Sequence, residues 1–214
     1  MSEQLRLSQL VCSRLCHDLV GAAGAVNAGL EILSEMGGLD DSAMGLAKNS
    51  GQELTRRLAF YRVAFGAGGA GSDGADITVL KKLASELLLS GNTKLDWPEP
   101  EGVAKPLDPT MGKLLLNLIL IASECLPRGG HVHVQVADIE GQTGIAVSAT
   151  GVDAGLREDL ARGLTPGHTA ASLDSRSIHS LSRNCLLSKR DVNSKSQRMK
   201  AQFSLPLFPH LNRL

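Results

Sequence analysis

The chain has 214 residues, and its 22 Lys and Arg residues are balanced by 22 Asp and Glu residues, so its formal net charge is zero. That balance argues against non-specific binding to nucleic acid or to an anionic membrane, because both need a basic excess. Aromatic residues make up only 3% of the chain, whereas Leu, Ala and Gly are abundant. This composition favours closely packed helices over a β-sandwich.

The sequence predicts a cytoplasmic protein without a membrane span. The first ten residues lack the uninterrupted apolar core of a secretory leader. The longest apolar run, 114–122, is interrupted by Asn117 and is about half of the ~20 residues that a bilayer span needs. No CxxC pair is present, so we expect reduced thiols. The four cysteines are Cys12, Cys16, Cys125 and Cys185.

Residues 1–66 are predicted to form a helical hairpin. Apolar or small residues recur there in steps of three and four, which is the spacing of one helix face. Gly37 and Gly38 are expected to end the first helix, because glycine accepts the left-handed conformation of a helix cap. Asp40, Asp41 and Ser42 are candidate N-caps for the second helix. The first stripe comprises Leu7, Val11, Leu15, Leu19, Ala22, Val26, Leu30 and Leu33, and the second comprises Met44, Ala47, Gly51, Leu54, Leu58, Tyr61 and Phe65.

Two helices alone leave apolar surface exposed to water. The sequence therefore predicts that two copies of the hairpin pair into a homodimeric four-helix bundle. The alternative is that the hairpin packs against its own second domain, because helices commonly pack on sheets in mixed folds. The glycine-rich segment 67–75 is predicted to be the linker between the hairpin and that second domain.

Residues 76–214 are predicted to form an α+β domain. Helices and strands do not alternate as a regular βαβ repeat, so we expect helices over one face of a sheet. Strict alternation of valines predicts a strand at 131–137, paired with a strand at 144–149. Further helices are predicted at 77–89, 108–126, 156–164 and 170–187, and further strands at 94–97 and 199–205.

His17 is the residue of the first helix that calls for a functional explanation. At about 100° per residue, it lies about 160° from both Leu15 and Leu19, so its imidazole projects away from the apolar stripe. Glycine inside a helix costs about 1 kcal/mol relative to alanine, so glycines beside an exposed histidine indicate a surface that another protein approaches closely. The residues predicted to form this docking surface are Ser13, Arg14, Gly21 and Gly24.

The chemistry of this segment suits phosphoryl transfer. A neutral imidazole is a competent nucleophile toward phosphorus. Asp18 is expected to orient the ring or to stabilise its protonated form, and Arg14 to meet phosphoryl oxygens or a carboxylate of the partner. Position alone, however, favours an ordinary surface histidine, because catalysis is a minority use of exposed histidines.

Two sequence segments carry a family resemblance. SRLCHDLVGA, followed by VNAGLEIL, resembles the phosphoaccepting helix of two-component histidine kinases, and most closely that of the ChpT family of histidine phosphotransferases. AKNSGQELTRRLAFYRVAFGAGGAG resembles the second helix and linker of that family. The family often has Ser-Pro where this chain has Gly21 and Ala22, so a helix kink and hydroxyl-assisted dephosphorylation there are not carried over.

The resemblance implies both an architecture and an activity. It implies a homodimeric helical bundle joined to a degenerate α/β sandwich like the ATP-binding domain of histidine kinases. It also implies that His17 is the phosphorylated histidine and Asp18 the acidic residue that follows it. The partners would be the receiver domain of a hybrid histidine kinase and a response regulator, with phosphate passing from the first to the second.

The second domain is not expected to bind ATP. The segment LLLNLILIASECLPRGGHVHVQV resembles the kinase motif that carries two Asn residues, but only Asn117 is retained, and Ile121 stands at the metal-associated position. An aliphatic side chain has no lone pair for Mg²⁺. VSATGVDAG stands where kinases carry Asp-x-Gly-x-Gly, with Ala149 at the acidic position and Asp153 at the second glycine. No cofactor is therefore expected, and Mg²⁺ would be supplied by the partner receiver domain.

Two alternative functions are consistent with the same sequence, and one pair of histidines is not expected to bind a metal. The chain could be a fragment of an ATP-dependent sensor histidine kinase with a divergent site, or a non-catalytic dimeric scaffold for receiver domains. His131 and His133 share one strand face, but no third ligand has a suitable spacing, so no metal site is predicted.

Overall fold

The computed structural model describes residues 3–38, 40–66, 76–98, 107–139, 142–156 and 202–204. Within them the fold is α+β, as predicted. The helices predicted over 156–164 and 170–187 lie, beyond residue 156, outside the described residues. The elements in chain order are α1 (Glu3–Glu35), α2 (Asp41–Ala64), α3 (Ile77–Leu88), β1 (Thr93–Asp96), α4 (Pro109–Glu124), β2 (Gly130–Ile139), β3 (Gln142–Thr150) and β4 (Gln202–Ser204).

The turn between α1 and α2 follows the predicted signals. Gly37 and Gly38 have φ angles of +68° and +84°, in the left-handed region that glycine adopts without a Cβ clash. Asp40 is the N-cap of α2, and its carboxylate accepts hydrogen bonds from the backbone amides of Ser42 and Ala43. These two signals place the helices side by side and antiparallel, which confirms the predicted hairpin.

The two helices approach each other closely at Gly29, which the predicted stripe did not include. A Cβ atom at Gly29 would lie 2.9 Å from both the Ala43 carbonyl oxygen and the Ala47 backbone nitrogen. The interface follows the smallest residues, because these let the backbones approach. Leu30, which the predicted stripe included, is 54% exposed in the single chain, and on α2 Met44 and Leu58 are also exposed.

The C-terminal end of α2 packs against the second domain. Phe60, Tyr61, Val63 and Ala64 are buried in one core with residues of α3 and α4, and Leu15 and Leu19 of α1 pack on that core. At this end the hairpin therefore packs against its own second domain, which was the alternative to pairing with a second copy. The hydrophobic core runs across the predicted boundary at residue 66.

The second domain contains a mixed sheet in the order β1-β2-β3-β4. β1 pairs parallel to β2, and β3 pairs antiparallel to both β2 and β4. Val132, Val134 and Val136 are buried, which confirms the side of the sheet that the alternating pattern predicted. α4 packs against β2 and β3 and is buried over most of its length. None of the described helices is long and apolar enough to cross a membrane.

Candidate functional site

His17 lies on the exposed face of α1, where the helical angle predicted it. Its side chain is 69% exposed. Gly21 and Gly24 follow on the same face, one and two turns along the helix, and a Cβ atom at either would meet no described atom within 4 Å. Ser13, one turn before His17, is exposed as well. The imidazole therefore stands among small side chains with open space around them.

Asp18 is the side chain that fixes the environment of the imidazole. Its Oδ1 lies 3.2 Å from His17 Nδ1. Its Oδ2 accepts two hydrogen bonds, one from Arg14 Nε at 2.6 Å and one from the Tyr61 hydroxyl at 2.8 Å. The Asp18 side chain is only 8% exposed. When Nδ1 carries the proton and donates it to Oδ1, the lone pair of the ring is on Nε2.

The carboxylate of Asp18 is held in its ionised form. Burial by itself would raise the pKa of Asp18, but the hydrogen bond from Tyr61 and the charge of Arg14 together lower it below its ordinary value. The pKa of Tyr61 is raised by burial and by the neighbouring Asp18 carboxylate. The pair at neutral pH is therefore a neutral phenol that donates to a charged carboxylate.

Arg14 connects α1 to the second domain. Its side chain is 14% exposed, and its Nη2 lies 2.6 Å from Oε1 of Glu124, the last residue of α4. We predicted from the sequence that Arg14 would belong to a surface for a partner. In the structure its guanidinium is engaged by Asp18 and Glu124 of the same chain. Glu124 is 110 residues away, so no local pattern indicates this pairing.

Tyr61 and Glu124 are the residues of the site that the sequence analysis missed. Tyr61 was assigned only to the apolar stripe of α2, and its ring does pack against Phe60 and Phe65, at centroid distances of 5.9 Å and 5.8 Å. A buried tyrosine hydroxyl usually has a hydrogen-bond partner. An antiparallel hairpin places the end of α2 beside the first half of α1, so the sequence indicated that the hydroxyl would meet a polar group of α1 but not which one.

Three of the four positions that resembled a kinase nucleotide site lie in the core, and the fourth, Asp153, lies on the surface. Asn117 is 1% exposed, and its side-chain amide donates to the carbonyl oxygens of Lys113 at 2.8 Å and Ala64 at 3.2 Å. Ile121 and Ala149 are buried in the same core. Asp153 lies on the surface and pairs with Arg128 at 3.0 Å. Asn117 therefore connects α4 to the end of α2.

The histidine pair on β2 forms an ordinary polar surface. The rings of His131 and His133 stack with centroids 5.9 Å apart. His133 Nδ1 lies 2.8 Å from a carboxylate oxygen of Asp96, and its Nε2 lies 3.1 Å from the Thr150 hydroxyl. Within the part of the chain that the structure describes, no three His, Cys, Asp or Glu side chains are arranged to hold a metal ion.

Comparison with known proteins agrees with this architecture. The family described as histidine phosphotransferase C-terminal domain matches residues 78–188, just over half of the chain. Protein phosphotransferase ChpT of Brucella abortus (strain 2308) is 40% identical over 132 residues, which are 62% of this chain and 61% of that protein. The match thus spans about three fifths of the length of that relative.

A solved structure extends the comparison to the fold. The structure of a bacterial phosphotransferase, determined at 1.7 Å, superposes with a TM-score of 0.73 at 29% identity, and the superposition covers 90% of this chain and 93% of that one. The class that these matches define is the phosphotransferases. Within it, the chain belongs to the ChpT family of histidine phosphotransferases.

Proposed function

We propose that the chain is a histidine phosphotransferase of a two-component phosphorelay and that His17 carries the phosphoryl group. The observation that carries this proposal is the exposed imidazole of His17, with its Nδ1 3.2 Å from a carboxylate held by two further hydrogen bonds. Family membership supports the class of activity, and the site geometry supports the choice of His17 over His131 and His133, the other histidines that the structure describes.

The reaction would use the two ring nitrogens differently. Nε2 attacks the phosphorus of an aspartyl phosphate on a receiver domain, and the N–P bond forms as the P–O bond to the aspartate breaks. The receiver's carboxylate leaves with the bonding electron pair. Nδ1 keeps its proton, so the phosphorylated ring carries a positive charge beside Asp18. The same steps in reverse would pass the phosphoryl group to the aspartate of a second receiver.

The proposed donor is the receiver domain of a hybrid histidine kinase, and the proposed acceptor is a response regulator. Direct transfer between two proteins requires that the acidic site of the receiver come within bonding distance of His17. The open space at Gly21 and Gly24 suits such an approach. Ser13 would lie at the edge of this docking surface, and Arg14 would contribute its positive charge from beneath it.

We propose that the reaction needs no ATP and no cofactor of this chain. Mg²⁺ bound by a nucleotide is held by oxygen donors, and the side chain of Ile121 offers none. Ala149 has no carboxylate that could accept a hydrogen bond from the adenine amino group. The amide of Asn117 already donates two hydrogen bonds inside the core. On this proposal the partner receiver domain supplies Mg²⁺, and the second domain is a degenerate relative of the kinase ATP-binding sandwich that contributes to docking.

We propose that two copies assemble through their hairpins into a four-helix bundle. Large apolar side chains remain exposed along both helices of one chain, which is the surface expected of a helix pair that lacks its partner. The side chains are Leu5, Val20, Leu30, Met44 and Leu58. The dimer would present two copies of the His17 site.

Labelling the full chain tests the proposed function. The wild-type protein is incubated with a phosphorylated receiver domain carrying ³²P, and acid-labile label is expected on this chain. His17→Ala should remove the label. His131→Ala is the matched control, because His131 is an exposed histidine on the sheet, and it should be labelled like the wild type.

Two results would contradict the proposal. If His17→Ala still accepts acid-labile phosphate, the role assigned to His17 is wrong. If the wild type is labelled directly by Mg²⁺ and [γ-³²P]ATP, the chain is a kinase fragment and the inference about Ile121 and Ala149 fails. A scaffold without chemistry would bind receiver domains and take no label in any arm.

A further inference from the structure

Tyr61 contacts the proposed reaction centre through Asp18 and belongs to another helix. Its hydroxyl donates to Asp18 Oδ2 at 2.8 Å across the α1–α2 interface, from a position 43 residues later in the chain. Its ring is buried and packs against Phe60 and Phe65. The hydroxyl group is therefore fixed in space by the packing of the ring.

A carboxylate can hold a proton on the Nδ1 atom of a neighbouring imidazole only if one of its oxygens stays directed at the ring. In Asp18 the two oxygens have separate roles: Oδ2 accepts from Tyr61 and Arg14, and Oδ1 lies against His17 Nδ1. Donors on Oδ2 fix the rotation of the planar carboxylate, and that rotation sets the direction of Oδ1. Arg14 alone would fix it less well, because its guanidinium is also drawn toward Glu124.

We propose that Tyr61 is a positioning residue for phosphoryl transfer, which orients Asp18 so that His17 carries its proton on Nδ1 and its lone pair on Nε2. This inference rests on the proposed function of His17. Tyr61 does not touch the reacting atoms and acts through Asp18. Its phenol is rigid, since it has two side-chain torsions, and its hydroxyl remains a donor at neutral pH.

The first measurement is the rate at which the full chain takes phosphate from phosphoramidate, a small donor that needs no protein docking. Tyr61→Phe keeps the packed ring and removes only the hydroxyl. We expect the rate constant to fall about tenfold, in the range that hydrogen bonds to charged groups carry. Thr55→Val is the matched control, because Thr55 is an exposed hydroxyl of α2 that donates to the Gly51 carbonyl, and it should react like the wild type.

The second measurement separates positioning from a general structural role. Long-range ¹H–¹⁵N correlation spectra report which ring nitrogen of neutral His17 carries the proton. We expect the Nδ1–H form to dominate in the wild type and to lose population in Tyr61→Phe. In the Asp18→Ala background, Tyr61→Phe should change neither the rate nor the tautomer, because the residue through which Tyr61 acts is gone.

Three outcomes would overturn the inference. These are a wild-type rate in Tyr61→Phe, the same fold loss from Tyr61→Phe with and without Asp18, and a wild-type His17 that is mainly Nε2–H. The tautomer of His17 in the wild-type protein can be measured even if no variant folds. If the wild type takes no phosphate on His17, the proposed function fails as well. If the wild type is labelled and Tyr61→Phe matches it, only the role of Tyr61 is wrong.

Discussion

At the scale of single residues, the site combines the exposed imidazole of His17 with the buried carboxylate of Asp18, which two further hydrogen bonds hold in place. His17 is accessible to a partner, whereas Asp18 is almost covered by its own chain. Burying a charge is unfavourable unless it is paired and hydrogen-bonded, and Asp18 meets that requirement through Arg14 and Tyr61. The folding of α1 against α2 therefore determines the electrostatics beside the exposed imidazole of His17.

Asp18→Asn is expected to lower the free energy of unfolding at pH 7 by about 2 kcal/mol, because the charged partner of Arg14 is lost. The pKa of Asp18 in the folded chain lies below its ordinary value of 3.8. Its stabilisation is therefore fully present above about pH 4 and is lost as the pH falls through the lower, folded pKa. Urea unfolding of both proteins from pH 7 to pH 3 measures the difference between their free energies of unfolding, which should be constant down to about pH 4 and then shrink.

The control for this series is Asp153→Asn, which removes a surface ion pair with Arg128. Exposed pairs contribute little to stability, so this variant should unfold close to the wild type at every pH. A gap between wild type and Asp18→Asn that persists or grows at pH 3 would contradict the environment assigned to Asp18.

Gly24→Leu tests the proposed docking surface around His17. The added side chain enters open space, and the substitution also removes a helical glycine, so the fold should be at least as stable. We expect transfer from a phosphorylated receiver domain to fall by an order of magnitude or more, since a clash at a protein interface typically costs several kcal/mol. Labelling by phosphoramidate should persist. Equal loss with both donors would show that Gly24 matters for a reason other than partner docking.

At the scale of elements, the hairpin depends on small residues where the helices cross. Gly29 lies against the backbone of α2 at Ala43 and Ala47, so the apolar stripes do not meet side chain to side chain along their whole length. Leu30, Met44 and Leu58, which the periodicity placed in the stripes, are exposed in the single chain. Periodicity identifies apolar faces, but backbone approach decides which part of each face is used.

Gly29→Ala is expected to destabilise the fold by about 1–3 kcal/mol, because the new Cβ must displace the backbone of α2. The helix propensity of alanine alone predicts the opposite sign, a gain of about 1 kcal/mol. Gly45→Ala on α2 is the matched control, since no described atom lies within 4 Å of its Cβ position, and it should stabilise. Thermal or urea unfolding of the two variants measures the contrast, and a more stable Gly29→Ala would refute the tight crossing.

At the scale of the whole molecule, the hairpin and the second domain form one continuous core. Phe60 and Ala64 at the end of α2 are buried with residues of α4, and polar contacts reinforce the junction. Asn117 donates to the Ala64 carbonyl, Lys113 donates to the Gly66 carbonyl at 2.6 Å, and Arg14 pairs with Glu124. The His17 site therefore lies next to the junction between the hairpin and the second domain.

Leu58→Glu tests the proposed dimer. Leu58 is 49% exposed in one chain, so a charge there should change the stability of the isolated chain little. A charge buried without a partner in a bundle interface is unfavourable, so sedimentation should show monomers in place of dimers. Gln52→Glu adds the same charge at an exposed position on another face of α2 and should leave the dimer intact. Dimers that survive Leu58→Glu unchanged would place the interface elsewhere.

Local patterns were enough to predict most of the elements. The cap at Asp40, the glycines after α1 and the alternating valines of β2 each act over a few residues, and each has the predicted role. Of the strand predicted at 199–205, the structure describes residues 202–204, which form β4. The exposed position of His17 followed from helix geometry alone.

By itself, then, the sequence determined the helices and strands, the face of α1 that carries His17 and the family resemblance, because these depend on residues that are neighbours in the chain. The tertiary structure alone decided the pairing of Asp18 with Tyr61 and of Arg14 with Glu124, across 43 and 110 residues. Such contacts depend on which surfaces pack and how closely the backbones approach, and that outcome is a property of the whole fold. The environment of His17 was therefore set by packing, although its exposure was set by sequence.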